Sequence, residues 1–320
     1  MPPFIPTRSL IAVKIEATEG VDAVPADADV VAPAFGIDYG PTVEMAEREV
    51  QQPSFSRITK IAGERMATIS FSTELKGSGA AGTPPPNLAV PLRGCSFAEV
   101  IVGGVSVTYN LVSENQESVT VEIRESDAAG NARSKKIIGA KGTVSLEATK
   151  GGIVLVVFEF TGKYVAPTDS GVSQFASPSI TPQPQPFLSA ALSFQGLGTL
   201  KAQAVTLDVG NDIVMRNDVN DPTGNVAAII TGRTPTGSID PEVELVATVD
   251  FYSKWTSNTE GVLTYIINGG AGNIVTVTAL KAQIDNLGEA DRDGLRTVAL
   301  DLVLNQSVDA GDDELEIKFT

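Results

Sequence analysis

Apolar residues along the chain recur mainly with a period of two, the spacing that places alternate side chains on opposite faces of a β-strand. The pattern is clearest in segments 67–75 (ATISFSTEL), 105–109 (VSVTY), 118–123 (SVTVEI), 153–160 (IVLVVFEF), 204–209 (AVTLDV), 274–278 (IVTVT) and 297–304 (TVALDLVL). These stretches are rich in Val, Ile, Thr and Phe and are separated by turn residues, so the chain reads as mainly β. Helix signals are few. The best are 87–92, entered through Pro84, Pro85 and Pro86, and 247–256 (ATVDFYSKWT), followed by Asn258 and Gly261. Between residues 166 and 190, a run of prolines removes backbone donors and resists both helix and central strand, which predicts an extended connection.

The order of these elements repeats. VEMAEREVQQPSFSRITKIAGER matches IVMRNDVNDPTGNVAAIITGRT, with Met215 lying 170 residues after Met45, and Pro222 and Gly232 lying 169 after Pro53 and Gly63. A strand follows each glycine, and a helix candidate follows each strand. Val107 then matches Val277 at 170, whereas Val144 matches Ile284 at only 140. The difference predicts an insertion of 30 residues in the first half, near 111–140, with the look of an added β-hairpin around SDAAGNA. The expectation is two tandem β-sandwich domains with one flanking helix each: 1–166, a proline-rich connection at 167–188, and 189–320. Fused copies suit a closed ring, because each chain then supplies two positions.

Composition narrows the chemistry. The 320 residues hold 39 Asp and Glu against 23 Lys and Arg, a formal charge of −16, with no His and one Cys. Without His, the commonest general base, the Ser-His and Cys-His pairs and the usual neutral metal ligand are gone. One cysteine rules out disulfide frameworks and thiolate metal clusters, and Cys95 reads as a small core residue. So acidic a chain is repelled by phosphate backbones and anionic membranes. With no secretory leader pattern and no long apolar run, an intracellular product is expected.

Some motifs are declined. Gly77, Gly79 and Gly82 satisfy G-x-G-x-x-G, but Pro84 to Pro86 follow at once, so the glycines do not open a helix. EADRDG (289–294) resembles the start of a calcium loop, yet Leu300 stands where a bidentate Glu is required, and a hairpin turn is expected instead. Phe251, Tyr252 and Trp255 read as anchors of the second helix.

The ordered series LIAVKIEATEGVDAVP, ISFSTELKGSGAAGTPP, LRGCSFAE, VTYNLVSENQESVTV, GAKGTVSLEA, FTGKYVAPTD and GDDELEIKF resembles the tail tube (major tail) proteins of long-tailed, siphovirus-type bacteriophages across nearly the whole chain. The resemblance implies a β-sandwich domain with a flanking helix whose strands join an inter-subunit β-barrel. It implies a structural virion protein, made in the host bacterial cytoplasm, with neither enzymatic activity nor cofactor. Fused domains imply that three chains form a pseudo-hexameric ring, and that stacked rings form a conduit through which double-stranded DNA passes without specific binding. A tape-measure protein and tail terminator or distal-tail proteins are the implied partners, without membrane insertion. Within the family, the tube of a contractile injection machine is the alternative; outside it, a soluble tandem β-sandwich binding module or adhesin.

The excess acid suits a bore that repels phosphates, though ordinary solubilising charge is equally compatible. Candidate lumen-facing acids are Glu44, Glu47, Glu49, Asp212 and Asp218 around the repeated segment, with Glu147 and Asp285 on the closing hairpins; each is also compatible with an outward solvated position. Candidate inter-ring contacts are Phe4 and Ile5, in a proline-rich N-terminal stretch that suits a docking arm or a frayed end, and Arg133, Lys135 and Lys136, the one local cluster of positive charge.

Overall fold

The structure is a computed structural model that describes residues 2–169, 171–198 and 200–320. The first half runs β1 (Phe4–Ile15), β2 (Val30–Val31), β3 (Ala34–Ala46), β4 (Ile61–Glu74), α1 (Ala89–Gly94), β5 (Phe97–Val102), β6 (Ser106–Leu111), β7 (Val119–Asp127), β8 (Ala132–Thr149) and β9 (Leu155–Thr168). The second runs β10 (Ser193–Phe194), β11 (Ala202–Asp208), β12 (Asn211–Asn217), β13 (Asn225–Arg233), β14 (Thr236–Pro241), α2 (Phe251–Thr256), β15 (Glu260–Asn268), β16 (Ile274–Arg292), β17 (Leu295–Asn305) and β18 (Glu316–Phe319). The protein is mainly β, and its sheets are open rather than closed into a barrel.

Both helices are short and start later than their patterns predict. Ahead of α1, the Leu88 and Ala89 N–H groups both donate to the Pro85 carbonyl, so a turn precedes the helix. Ahead of α2, the Thr248 and Val249 N–H groups turn back to the Leu245 carbonyl, and the Asp250 carboxylate caps the first turn by accepting from Ser253 N at 2.8 Å. Residues 169–192 carry no strand or helix in their described part.

All neighbouring strands pair antiparallel along the path β2-β1-β7-β8-β11-β14-β17-β16-β18-β6-β5, with β9, β4 and β3 branching from β8, and β15 and β10 from β16. The stretch 111–140 contains the hairpin of β7 with the first part of β8, running from Val119 opposite Ala140 to Ser126 opposite Ala132. Strand β1 covers its outer edge. The halves are stitched twice, by β11 on β8 and by the C-terminal β18 between β16 and β6. Buried apolar residues of both halves form one contiguous cluster. At its centre Phe71, Phe158 and Phe160 stack, with ring centroids 5.3 to 6.1 Å apart.

One buried network in the first half underlies the point where the second half rests on it. The buried Glu16 carboxylate accepts from Gly20 N (2.8 Å), Ser118 Oγ (2.7 Å), Thr120 Oγ1 (2.8 Å) and Gly139 N (2.7 Å), tying the end of β1 to β7 and β8. Gly139 has φ +57, and a Cβ there would stand 2.8 Å from the Ala227 Cβ on β13, so the β12–β13 hairpin rests directly on this point. Glu16→Ala strands two backbone donors and two hydroxyls, and is expected to lower stability by about 3 kcal/mol in a thermal or denaturant melt. The glycines of the declined nucleotide motif have packing roles. A Cβ on Gly77 would lie 2.2 Å from the Gly272 carbonyl oxygen, and one on Gly82 would lie 2.4 Å from Gly104 N. The EADRDG segment forms the β16–β17 hairpin turn, with positive φ at Asp293 and Gly294 and the Asp291 carboxylate accepting from Gly294 N at 3.1 Å.

Candidate assembly surface

Alternation along eight strands creates a second face opposite the core. In one row Asp38 of β3 stands opposite Ser70 of β4, Ser70 opposite Glu159 of β9, and Glu159 opposite Thr143 of β8. A second row crosses from Phe35 through Ser72, Val157, Ser145, Asp208, Thr236 and Val303 to Gln283. A third runs from Leu155 through Glu147, Thr206, Ser238 and Asp301 to Asn286. The rows hold five acids, Asp38, Glu147, Glu159, Asp208 and Asp301, among small hydroxyls, and not one Lys or Arg. Thr206 and Ser238 exchange a hydroxyl hydrogen bond at 2.6 Å, and Asn286 donates to Asp301 at 3.1 Å, so part of the polar surface is held in place.

Of the acids singled out by sequence, Glu147 lies on this face. Asp285 is the exposed bulge residue beside it, where the β16–β17 register shifts; its carbonyl accepts from Trp255 Nε1 at 2.9 Å, which fastens α2 to the strand. The other five lie on the two hairpins. Glu44 is exposed near the end of β3, Glu47 and Glu49 lie in the β3–β4 loop, where Glu47 pairs with Lys60, Asp212 is exposed on β12, and Asp218 shapes the β12–β13 turn by accepting from Asn220 N at 2.8 Å. Sequence reasoning missed Asp38, Glu159, Asp208 and Asp301. The signal was present in IDY, FEF, LDV and LDL, where one acid stands between two apolar residues of a period-two run and must face away from the core.

The basic cluster is engaged within its own chain. Arg133 (2.6 Å) and Lys135 (2.7 Å) both donate to the Glu125 carboxylate, while Lys136 bridges Asp22 at 2.7 Å and Glu122 at 3.3 Å. Lys135 and Arg133 hold the Glu125 carboxyl below its ordinary value despite partial burial. The Arg133 guanidinium also sits 4.5 Å from the Phe4 ring centre, and Phe4 stands opposite Asp127 of β7, so the stretch with Phe4 and Ile5 is already part of β1.

The β12–β13 turn is anchored to the first half by an ion pair between Lys163 and Asp221 and by a hydrogen bond from Arg65 N to the Thr223 carbonyl at 2.9 Å. Lys163, together with Thr223, pulls the Asp221 carboxyl from 3.8 down to about 2. A carboxyl depressed by folding contributes stability above its unfolded value and loses it as pH falls towards its folded value. The melting-temperature gap between wild type and Asp221→Asn is therefore expected to be full at pH 6 and to close between about pH 4 and about pH 2. Burial pushes the Cys95 thiol well up, and it lies wholly inside the core.

The surface combines a hydroxylated, acidic sheet face with two hairpins, β3–β4 exposed at its end and β12–β13 anchored on the first half. Comparison with curated proteins finds no match to this chain. Comparison with protein families finds the family described as phage tail tube protein, matched over residues 6–311, a family of structural virion components rather than an enzyme class. With 306 of its residues inside that match, the chain belongs to the phage tail tube protein family.

Proposed function

We propose that three copies of this chain close into a ring of six similar β units, that rings stack into the tail tube of a long-tailed phage, and that the three-row acidic face lines the bore. The observation that carries this reading is the set of three rows, spanning β3, β4, β9, β8, β11, β14, β17 and β16 and holding five acids and no Lys or Arg within them. Eight strands per chain give about 24 in a trimer, more than the 16–18 that already leave an aqueous channel, and channel diameter grows with strand number. A negative wall repels phosphates over about one Debye length, roughly 8 Å at physiological salt, while serine and threonine hydroxyls keep it wetted. DNA then slides without sticking, since adhesion to its backbone requires Lys and Arg to displace counterions. The tube is a virion part assembled in the host cytoplasm, with a tape-measure protein inside it before DNA release and terminator and distal-tail proteins at its ends.

Negative-stain electron microscopy of purified protein, with solution mass measured alongside, tests the reading. Rings or tubes with an open bore and three chains per ring are expected. Solid filaments, or closed particles of a different chain number, overturn it.

A further inference from the structure

Behind the acidic face, β5, β6, β18, the first part of β16, β15 and β10 form a second run of paired strands, and their Val107, Tyr109, Ile317, Val277 and Leu263 enter the common core. The acids of the three rows alternate with core residues and point away from that core, so this run lies on its far side. The two ends of the run differ. At one end the chain closes its own edge, with residues 190–195 lying along β15. Ile266 N donates to the Ala190 carbonyl at 2.7 Å, Gln195 N donates to the Val262 carbonyl at 2.8 Å, and Phe194, wholly buried, stands opposite Leu263. Just before this stretch, Phe187 sets its ring edge-on against Tyr265, with centroids 5.4 Å apart.

At the other end, β5 pairs with β6 and with no other described strand. Val100, Ile101 and Val102 stand opposite Thr108, Val107 and Ser106, and all three are about half exposed, as is Val105 across the turn. Free edges are ordinarily blunted by a lysine, a proline, a bulge or a covering segment. Here the register with β6 runs unbroken from Phe97 to Val102, and the strand holds neither Lys nor Pro. An unblunted edge of β-branched residues is the form that receives an added strand, with main-chain hydrogen bonds supplying affinity and side-chain pockets supplying selectivity.

Such a pocket lies at the start of the strand. It has a volume of about 410 Å³ and is lined by apolar Phe97, Ala98 and Val112 and by the acids Glu99, Glu114 and Glu117. One guanidinium answers these three carboxylates: Arg93 is bidentate on Glu117, at 2.6 and 2.7 Å. Glu99 accepts from the Tyr109 hydroxyl at 2.6 Å, and Glu114 is exposed in the β6–β7 loop. Arg233, which donates to the Val112 carbonyl at 3.5 Å, is itself matched by Asp312 and Glu314. The pocket is therefore short of positive charge.

We infer that this edge and pocket dock an extended segment of another protein, one that carries a lysine or arginine for the pocket and β-branched residues to lie along Val100 to Val102. The segment adds to β5 as residues 190–195 add to β15. A chain of net charge −16 is a poor source of that positive charge, so the complementary occupant is a cationic partner and not a second copy. The outward position of the site, on the wall away from the bore, rests on the proposed tube; strand addition to β5 does not.

The test uses a fluorescein-labelled peptide, Thr-Val-Thr-Val-Thr-Arg-Lys with blocked ends, which in antiparallel register sets its valines along Val100 to Val102 and its cations at the pocket. Saturable binding to the free wild-type chain is expected by fluorescence anisotropy, with a Kd below about 1 mM. Val100→Lys, which blunts the edge, and Glu114→Lys, which fills the charge deficit, are each expected to weaken it at least fivefold while melting as the wild type does. Hydrogen exchange is expected to slow at least tenfold within 97–102 when the peptide is bound, a reading that needs no substitution. Absence of saturable binding up to about 1 mM, binding that survives both substitutions, or protection of a different segment overturns the inference. Assembled tubes are expected to bind the peptide as the free chain does. Loss of binding on assembly assigns the edge to a second copy and overturns the partner, whereas failure to form tubes overturns the tube and leaves strand addition to β5 to be judged on the free chain.

Discussion

Tube particles carrying Glu147→Lys, Glu159→Lys, Asp208→Lys and Asp301→Lys are expected to trap DNA that wild-type particles release. All four positions lie on the three-row face, and no lysine or arginine in those rows offsets them. The change moves the chain from −16 to −8 overall, but in the bore it replaces a repelling wall with one that displaces counterions. A short duplex incubated with variant particles is expected to become protected from nuclease, and the protection to vanish with salt. If six or more phosphates are neutralised, affinity falls by about 10³ or more between 50 and 200 mM salt. The same reversal at Glu44, Glu47, Glu49 and Asp212, on the hairpins, is expected to leave the duplex digestible. Protection by the second set instead of the first would place the bore on the hairpins and sink the assignment of the face.

Phe158→Ala is expected to be the most destabilising single change in the core. Its ring is wholly buried between Phe71 and Phe160, at centroid distances of 5.3 and 6.0 Å, on the strand that joins β4 to β8. Truncating a buried Phe costs about 3–5 kcal/mol, since the transfer free energy is lost and a cavity remains. A chain of this size loses roughly 1.5 °C of melting temperature per kcal/mol, so a fall of about 5–7 °C is expected by calorimetry. Phe55→Ala, in the exposed β3–β4 loop, is the contrasting control and is expected to leave the free chain's melting temperature unchanged.

Several elements were legible before any coordinates. Period-two alternation marks β4, β9 and β17 because each is half-buried, and half-burial writes itself into the sequence as one apolar residue in two. Turn residues in SDAAGNA between two period-two stretches mark the β7–β8 hairpin. Helix starts were misplaced because a propensity pattern does not contain the capping bond of Asp250 or the turn on Pro85. The basic run Arg133 to Lys136 looked free because its partners Glu125, Glu122 and Asp22 are remote or cross-strand, and only strand pairing brings them within 2.6–3.3 Å.

Sequence by itself determined that this is a mainly β chain, acidic, without the residues that histidine or multi-cysteine chemistry needs. Alternation is a local property, so it also told which side of each strand meets the core. Tertiary structure decided which acids share a surface. Asp38, Glu159, Glu147, Asp208 and Asp301 are spread over more than 260 residues of chain, and come into three rows only through the registers of eight strands. Those registers depend on bulges and on which edge meets which, contacts whose partners lie far apart in the chain and leave no local trace in either strand.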